Sequence, residues 1–243
     1  MLTALRYLIL SDIHSNRTAL DAVLTAADGL YDVAVSCGDV VGYGPEPNEA
    51  VECCRQRCRS VVRGNHDKAC SGLLDLEWFN SVAQVSAEWT AAVLSPENLS
   101  WIRHLPEGPL ELEDFSLMHG SPRDEDEYVL HPAEVEEIAP YLTQGVAFFG
   151  HTHIQTAYEV HRNGVRVLRE QIIELADTSA YLINPGSVGQ PRDRDARAGW
   201  AIYDTKERIV DLRRTEYNVQ QVHDRIREVG LPEVLGLRLH SGM

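Results

Sequence analysis

Leu5-Arg-Tyr-Leu-Ile-Leu10-Ser-Asp12-Ile-His14-Ser-Asn16 sets the pattern for the whole chain. Leu5 to Leu10 is a short apolar run of strand length. Asn16 stands where an N-cap belongs, ahead of helical spacing through Leu20, Val23 and Leu24. Asp12 and His14 therefore fall in the loop that leaves a strand for a helix. The unit recurs: Val33 to Cys37 reads as a strand, Asn48 to Arg59 as a helix and Ser60 to Val62 as a strand, with Gly64 opening a loop. Strands alternating with helices predict an α/β fold.

Outward from this repeat the character changes. From about Leu73 to Leu105 the sequence is helix-rich and carries Trp78, Trp89 and Trp101, with Pro96 dividing two segments. These aromatics are expected in the core. Strand candidates follow at Phe115–Met118 and Val146–Phe149, with a helix expected over Pro132–Tyr141 between them. Asn163-Gly164 separates two strand-like stretches and predicts a hairpin with a type I′ turn, which needs positive φ at both central residues. Strands at Tyr181–Ile183, Trp200–Tyr203 and Ile209–Leu212 and a last helix over Val219–Val229 complete the chain. No repeat or linker interrupts it, which points to a single domain over residues 1–243, with a helical insertion at about 70–105.

The 243 residues carry 22 Lys+Arg against 37 Asp+Glu, a net charge of −15. Affinity for nucleic-acid polymers comes from cationic side chains on phosphates, so this balance argues against such a partner. No stretch has the roughly 18 apolar residues of a membrane span, and the start runs straight into a strand pattern, so a cytoplasmic protein is expected. The five cysteines, Cys37, Cys53, Cys54, Cys58 and Cys70, are odd in number and lack paired CxxC spacing. They are expected as reduced thiols, with Cys54 and Cys58 on one helix face.

The histidines and aspartates fall at the ends of strands. Asp12 and His14 follow the first, Asp39 the second, Asn65 and His66 the third, His119 the fourth, and His151 and His153 the fifth. In α/β sheets, binding crevices lie outside the carboxyl ends of strands, so these side chains converge. Singly, each has an ordinary reading as turn, cap or surface chemistry. Jointly, five of ten histidines placed after five successive apolar runs point to a metal site. Imidazole, carboxylate and amide oxygen together suit divalent ions, Mn²⁺ as the first choice, with Fe²⁺, Zn²⁺, Co²⁺ or Ni²⁺ as alternatives.

Asp12-x-His14, Gly38-Asp39, Gly64-Asn65-His66-Asp67, His119-Gly120 and Gly150-His151-x-His153, in this order, resemble the signature of the calcineurin-like metallophosphoesterase superfamily. Cys37-Gly-Asp-Val-Val-Gly-Tyr-Gly-Pro45 and Ile183-Asn-Pro-Gly-Ser-Val-Gly189 extend the likeness, which covers nearly the whole chain and is nearest to the small bacterial phosphodiesterases and phosphatases. The resemblance implies a four-layer α-β-β-α sandwich of two mixed sheets and two divalent metal ions. Asp12, His14 and His153 would hold the first ion, Asn65, His119 and His151 the second, and Asp39 would bridge them. His66 would face substrate as acid or charge stabiliser, beside Asn65. Phosphoester hydrolysis needs an activated water and stabilised charge on both attacking and leaving oxygens. Two ions do both, supplying a bridging hydroxide near neutral pH.

Tyr43 and Arg123 follow the second and fourth motifs and are candidate substrate contacts. Asn184-Pro-Gly-Ser187 is expected to form a turn that braces the Gly150-His-Thr-His loop. Arg192, Arg194 and Arg197 alternate with Asp193 and Asp195 and read as an exposed charged loop rather than a phosphate fringe. Where phosphoprotein phosphatases typically carry Asp-Arg-Gly after the second motif, this chain has Val-Val-Gly-Tyr-Gly-Pro. That departure argues for a small phosphodiester or phosphomonoester substrate instead of a phosphoprotein. From its position after His66, the helical insertion is expected to pack beside the pocket and limit access. The competing reading is a protein-binding scaffold on the same fold, as in the retromer subunit that resembles this superfamily, and His66, which a scaffold does not need, argues against it.

Overall fold

The computed structural model describes residues 4–243. Strand β1 (Arg6–Leu10) leads into helix α1 (Arg17–Ala26), β2 (Val33–Ser36) into α2 (Pro47–Arg57), and β3 (Cys58–Val61) into α3 (Asn65–Cys70). The three strands pair in parallel in the order β3-β2-β1. Asn16 caps α1 as expected, its side chain accepting from the Ala19 amide. Helices α4 (Ser81–Val93) and α5 (Pro96–Arg103) follow, then β4 (Leu110–Glu111), β5 (Ser116–Leu117), α6 (Pro132–Ile138) and β6 (Val146–Phe148). The chain continues through β7 (Thr156–His161), β8 (Gly164–Leu168), β9 (Ile172–Glu174), β10 (Ala180–Asn184), β11 (Ala198–Asp204) and β12 (Ile209–Thr215), ending in α7 (Val219–Glu228) and α8 (Glu233–Leu239).

The strands form two mixed six-stranded sheets, β3-β2-β1-β11-β12-β9 and β4-β5-β6-β10-β7-β8. Side-chain alternation along each strand builds the layers. In the first sheet Tyr7, Ile9, Val35, Ala201 and Tyr203 point inward and meet Leu117, Phe148, Tyr181 and Ile183 of the second. Their neighbours Leu8, Leu10, Ala34, Trp200 and Ile202 point outward and pack with Leu20, Val23, Val51 and Ile102 of the helices. On the far side Ala147, Tyr158 and Leu182 pack against Val135 and Ile138 of α6. The result is the expected α-β-β-α sandwich.

Several local expectations are corrected. Cys58 begins β3 instead of sharing a helix face with Cys54, although all five cysteines are free thiols as expected. The hairpin forms, but His161 pairs with Gly164, so the connecting residues are Arg162 and Asn163 and only Gly164 takes positive φ, +127°. The last helix is α8, not the stretch ending at Val229. Trp78 is not in the core: it ends a short 3₁₀ turn, Leu76–Trp78, and is 84% exposed. No helix among the described residues is long and apolar enough to cross a membrane.

Candidate active site

β1, β2 and β3 run parallel to one another, as do β5 and β6, so the loops at their carboxyl ends gather at one edge of the sandwich. Those loops, with the first turn of α3 for Asn65 and His66, carry the expected metal-site residues. Asp12, His14, Asp39, His151 and His153 sit at φ between +47° and +66°, as does Tyr43. This left-handed region is costly for residues with a side chain, and such outliers cluster where function requires them. The backbone hydrogen bonds that impose it run between loops: Asp12 N to Gly38 O, His14 N to Asp39 O and Ser15 N to Val40 O.

Four imidazoles share one arrangement. His14 Nδ1 donates to Val41 O at 3.0 Å, His119 Nδ1 to Cys37 O at 2.8 Å and His153 Nδ1 to Gln190 O at 2.6 Å. His151 reverses the ring and donates from Nε2 to Asp126 O at 3.1 Å. A carbonyl can only accept, so each of these nitrogens holds the proton and the opposite nitrogen presents a lone pair. The lone pairs face one another in two couples. His14 Nε2 lies 3.0 Å from His153 Nε2, and His119 Nε2 lies 3.1 Å from His151 Nδ1. Asp39 Oδ2 stands between the couples, 3.5 Å from His14 Nε2 and 3.4 Å from His119 Nε2, buried and without a hydrogen-bond donor.

Donor atoms of Asp12, His14, Asp39 and His153 lie within 4.8 Å of one another, as do those of Asp39, His119 and His151. Asn65 Oδ1 adds an oxygen 3.2 Å from His119 Nε2. Opposed lone pairs and an unpartnered carboxylate oxygen are repulsive in themselves and are satisfied together by divalent cations, so the residues present fit the metal that their chemistry implies. The charges bear this out. Burial alone would raise Asp39, yet His119, His66 and His14 hold it well below the carboxylate range. Burial alone would lower His119, yet Asp39 and Asp12 hold it up at about 10, so in place of a cation a second proton takes the Nε2 lone pair that faces His151.

The loops are braced from beneath. Buried Asp67, to which sequence reasoning gave no role, accepts from Val40 N and Val41 N on Oδ1 and from Gly64 N on Oδ2, tying the Asp39 loop to the start of α3. Asn184 Nδ2 donates to Gly150 O at 2.8 Å and Thr152 Oγ1 at 3.0 Å, the brace expected of its turn. Ser187 Oγ donates to Asp12 O. A side chain at Gly64 would place Cβ 2.1 Å from Asp39 Oδ1, so only glycine admits that carboxylate.

His66 sits beside the cluster and belongs to neither couple. Its ring packs against Tyr43 at 4.3 Å between centroids, His14 at 4.9 Å and Phe79 at 5.0 Å. Nδ1 is buried, unpartnered and turned to Gly42, which leaves Nε2 as the nitrogen open to the adjoining cavity. Burial pushes His66 down to about 4, so the ring is neutral at pH 7. The cavity encloses about 370 Å³ and is lined by Tyr43, Asn65, His66 and His151, by Leu74, Trp78, Phe79 and Asn80 of the helical segment, and by Asp126 and Tyr128. Tyr43 thus lines the cavity. Arg123 is not among the lining residues: its guanidinium is committed to Glu127 and Glu137. Arg192 does not line the cavity either, and its Nη2 donates to Gln190 Oε1 at 3.1 Å. Asp193 pairs with Arg214 and Asp195 with Arg197, so Arg192 is left with no carboxylate partner among the described residues and lies over the Tyr43 ring, 5.7 Å from its centroid.

The profile of the calcineurin-like phosphoesterase superfamily domain matches residues 5–208. An uncharacterised protein of Methanocaldococcus jannaschii is 38% identical over 241 residues, covering 96% of this chain and 97% of its own. The crystal structure of a metallophosphoesterase from Sphaerobacter thermophilus superposes with a TM-score of 0.87 at 37% identity, covering 99% of this chain and 100% of that one. A hypothetical protein from Pyrococcus horikoshii shares the fold at 20% identity, with a TM-score of 0.81 over 98% of each chain. With this kinship and the buried His/Asp clusters, the chain belongs to the calcineurin-like phosphoesterase superfamily and is a metal-dependent phosphoesterase.

Proposed function

We propose that the protein hydrolyses a small phosphodiester or phosphomonoester using two divalent ions, with manganese the first choice. Asp12, His14 and His153 would hold one, Asn65, His119 and His151 the other, and Asp39 both. The observation that carries this reading is the pair of opposed imidazole couples about the orphaned Asp39 Oδ2. When bound, the ions supply Lewis acidity, lowering the pKa of water and neutralising the phosphoryl oxygens.

The chain's own groups complete the site. His66 Nε2 opens on the cavity and meets the leaving oxygen. Burial keeps the ring neutral, and the negative phosphate opposes that effect, so the proton is held at His66 only when substrate is in place. Arg192, free of any carboxylate, offers charge to the phosphoryl group, and Tyr43 holds the rings of His14 and His66 in register. The segment from Leu74 to Asn80 walls the cavity and favours small substrates over polymers.

The test compares manganese-loaded wild type and His66→Ala on p-nitrophenyl phosphate and bis(p-nitrophenyl) phosphate, with metal content measured on both. The expected result is hydrolysis of at least one ester by wild type and a loss on the order of 10²–10⁴ in His66→Ala, with metal content unchanged. Metal without turnover in wild type would refute the reading and favour a scaffold.

A further inference from the structure

Part of the cavity wall is aromatic, and it is exposed. Trp78 is 84% and Tyr128 49% accessible, and both line the cavity that holds His66. Exposed aromatic side chains gathered at one cavity mark a ligand-binding surface, where singly exposed ones do not. Nor is the tryptophan on a loose loop. Asp75 Oδ1 accepts from Glu77 N at 3.0 Å, and Phe79 N closes the turn on Leu76 O at 2.9 Å. Gln84 Nε2, reaching from α4, donates to both Leu76 O and Phe79 O at 2.9 Å, clamping the two ends of the turn. Phe79 then packs edge-on against His66, so the clamp fixes the tryptophan segment relative to the reacting group. Tyr128, in the same lining, lies over His151, 3.9 Å between centroids at 31°. Asn80 uses its Oδ1 to cap α4, accepting from Val82 N and Ala83 N, and its Nδ2 makes no hydrogen bond among the described residues.

We propose that Trp78, with Tyr128 and the free amide of Asn80, forms a stacking subsite for the planar base of a nucleotide-type phosphoester, seating its phosphate at His66. The proposal rests on the phosphoesterase reading above and names its substrate class. Aromatic faces bind bases of any sequence by stacking, and a cavity of about 370 Å³ is the right scale for one nucleotide. The net charge of −15 disfavours a polymer as the source of that base. Trp78 lies outside the core, so replacing it leaves the fold in place.

Adenosine 5′-monophosphate and ribose 5-phosphate carry the same phosphate on the same alcohol and differ only in the base. Their inhibition constants against p-nitrophenyl ester hydrolysis by the manganese-loaded enzyme isolate the subsite, and quenching of tryptophan fluorescence reports binding without turnover. In wild type the nucleotide binds about tenfold or more tightly than ribose 5-phosphate, the scale of one stacking contact. In Trp78→Ala the nucleotide weakens to the level of ribose 5-phosphate, whose own constant does not move, and the quench is lost. Equal constants in wild type, or a preference that survives Trp78→Ala, would overturn the proposal. So would an equal weakening of both ligands, or a dimer that Trp78→Ala dissociates with the nucleotide constant unchanged. Failure of the phosphoesterase reading looks different: no ester is hydrolysed, whatever the quench shows.

Discussion

Replacing Gly42 by alanine tests whether the position of the His66 ring matters, apart from metal binding. Gly42 has φ +88°, a conformation worth roughly 1–2 kcal/mol against any residue with a Cβ. An added Cβ would stand 2.6 Å from His66 Nδ1 and 3.1 Å from its Cβ and Cγ. Ordinary contact begins near 3.4 Å, so the ring must yield by about 0.8 Å. Tyr43 and Phe79 pack against it, so it yields toward the cavity. A misplacement of this size costs on the order of 10²-fold in rate. The assay measures kcat on the p-nitrophenyl esters, metal content and thermal unfolding side by side. Gly42→Ala should lose about 10²-fold in kcat, keep wild-type metal content and unfold roughly 3–8 °C lower. A kcat within twofold of wild type would refute the assigned role of His66, and loss of metal would show that Gly42 supports the ligands instead.

Two further outcomes follow from the loops and sheets. Asn184→Ala removes the amide that joins Gly150 O to Thr152 Oγ1 and leaves buried Gly186 N without its acceptor, so urea unfolding should show a loss of about 1–3 kcal/mol, and metal should bind more weakly through the loosened His151–His153 loop. Glu159, buried on β7, would be raised by burial alone. Arg166, Ser179 and Tyr181 overrule it and hold its carboxyl below the usual value. A depressed folded pKa gives stability that is present above the unfolded value of about 4.3 and lost as pH falls through the folded one. Glu159→Gln should therefore be less stable at pH 7 and show a smaller further loss between pH 7 and pH 4, read by denaturant unfolding at each pH.

The metal cluster was legible because each ligand follows a strand whose apolar run marks it, and parallel strands can deliver their ends only to one edge. What escaped the sequence was pairing. Arg192 stands in a run of alternating charge, and nothing local says that Asp193 turns to Arg214 and Asp195 to Arg197, leaving Arg192 without a carboxylate partner among the described residues, over the Tyr43 ring. Trp78 was assigned to the core because aromatics in helix-rich sequence usually go there. In this three-residue 3₁₀ turn Leu76 takes the core side, and Gln84, eight residues on from Leu76, clamps the turn with Trp78 outward. Strands β4 and β9, two and three residues long, are too short to show a period. α8 carries Gly236 at its centre, where a Cβ would meet His223 Cδ2 at 2.3 Å, so close packing against α7 rather than helix propensity sets that residue.

The central claim is that one carboxylate serves both halves of the site. Isothermal titration of the metal-free protein with Mn²⁺ tests it in wild type, Asp39→Asn and His153→Ala. The account predicts two ions per chain in wild type, both weakened in Asp39→Asn and only one in His153→Ala. A single ion in wild type, or an Asp39→Asn protein that weakens only one of the two, would contradict it.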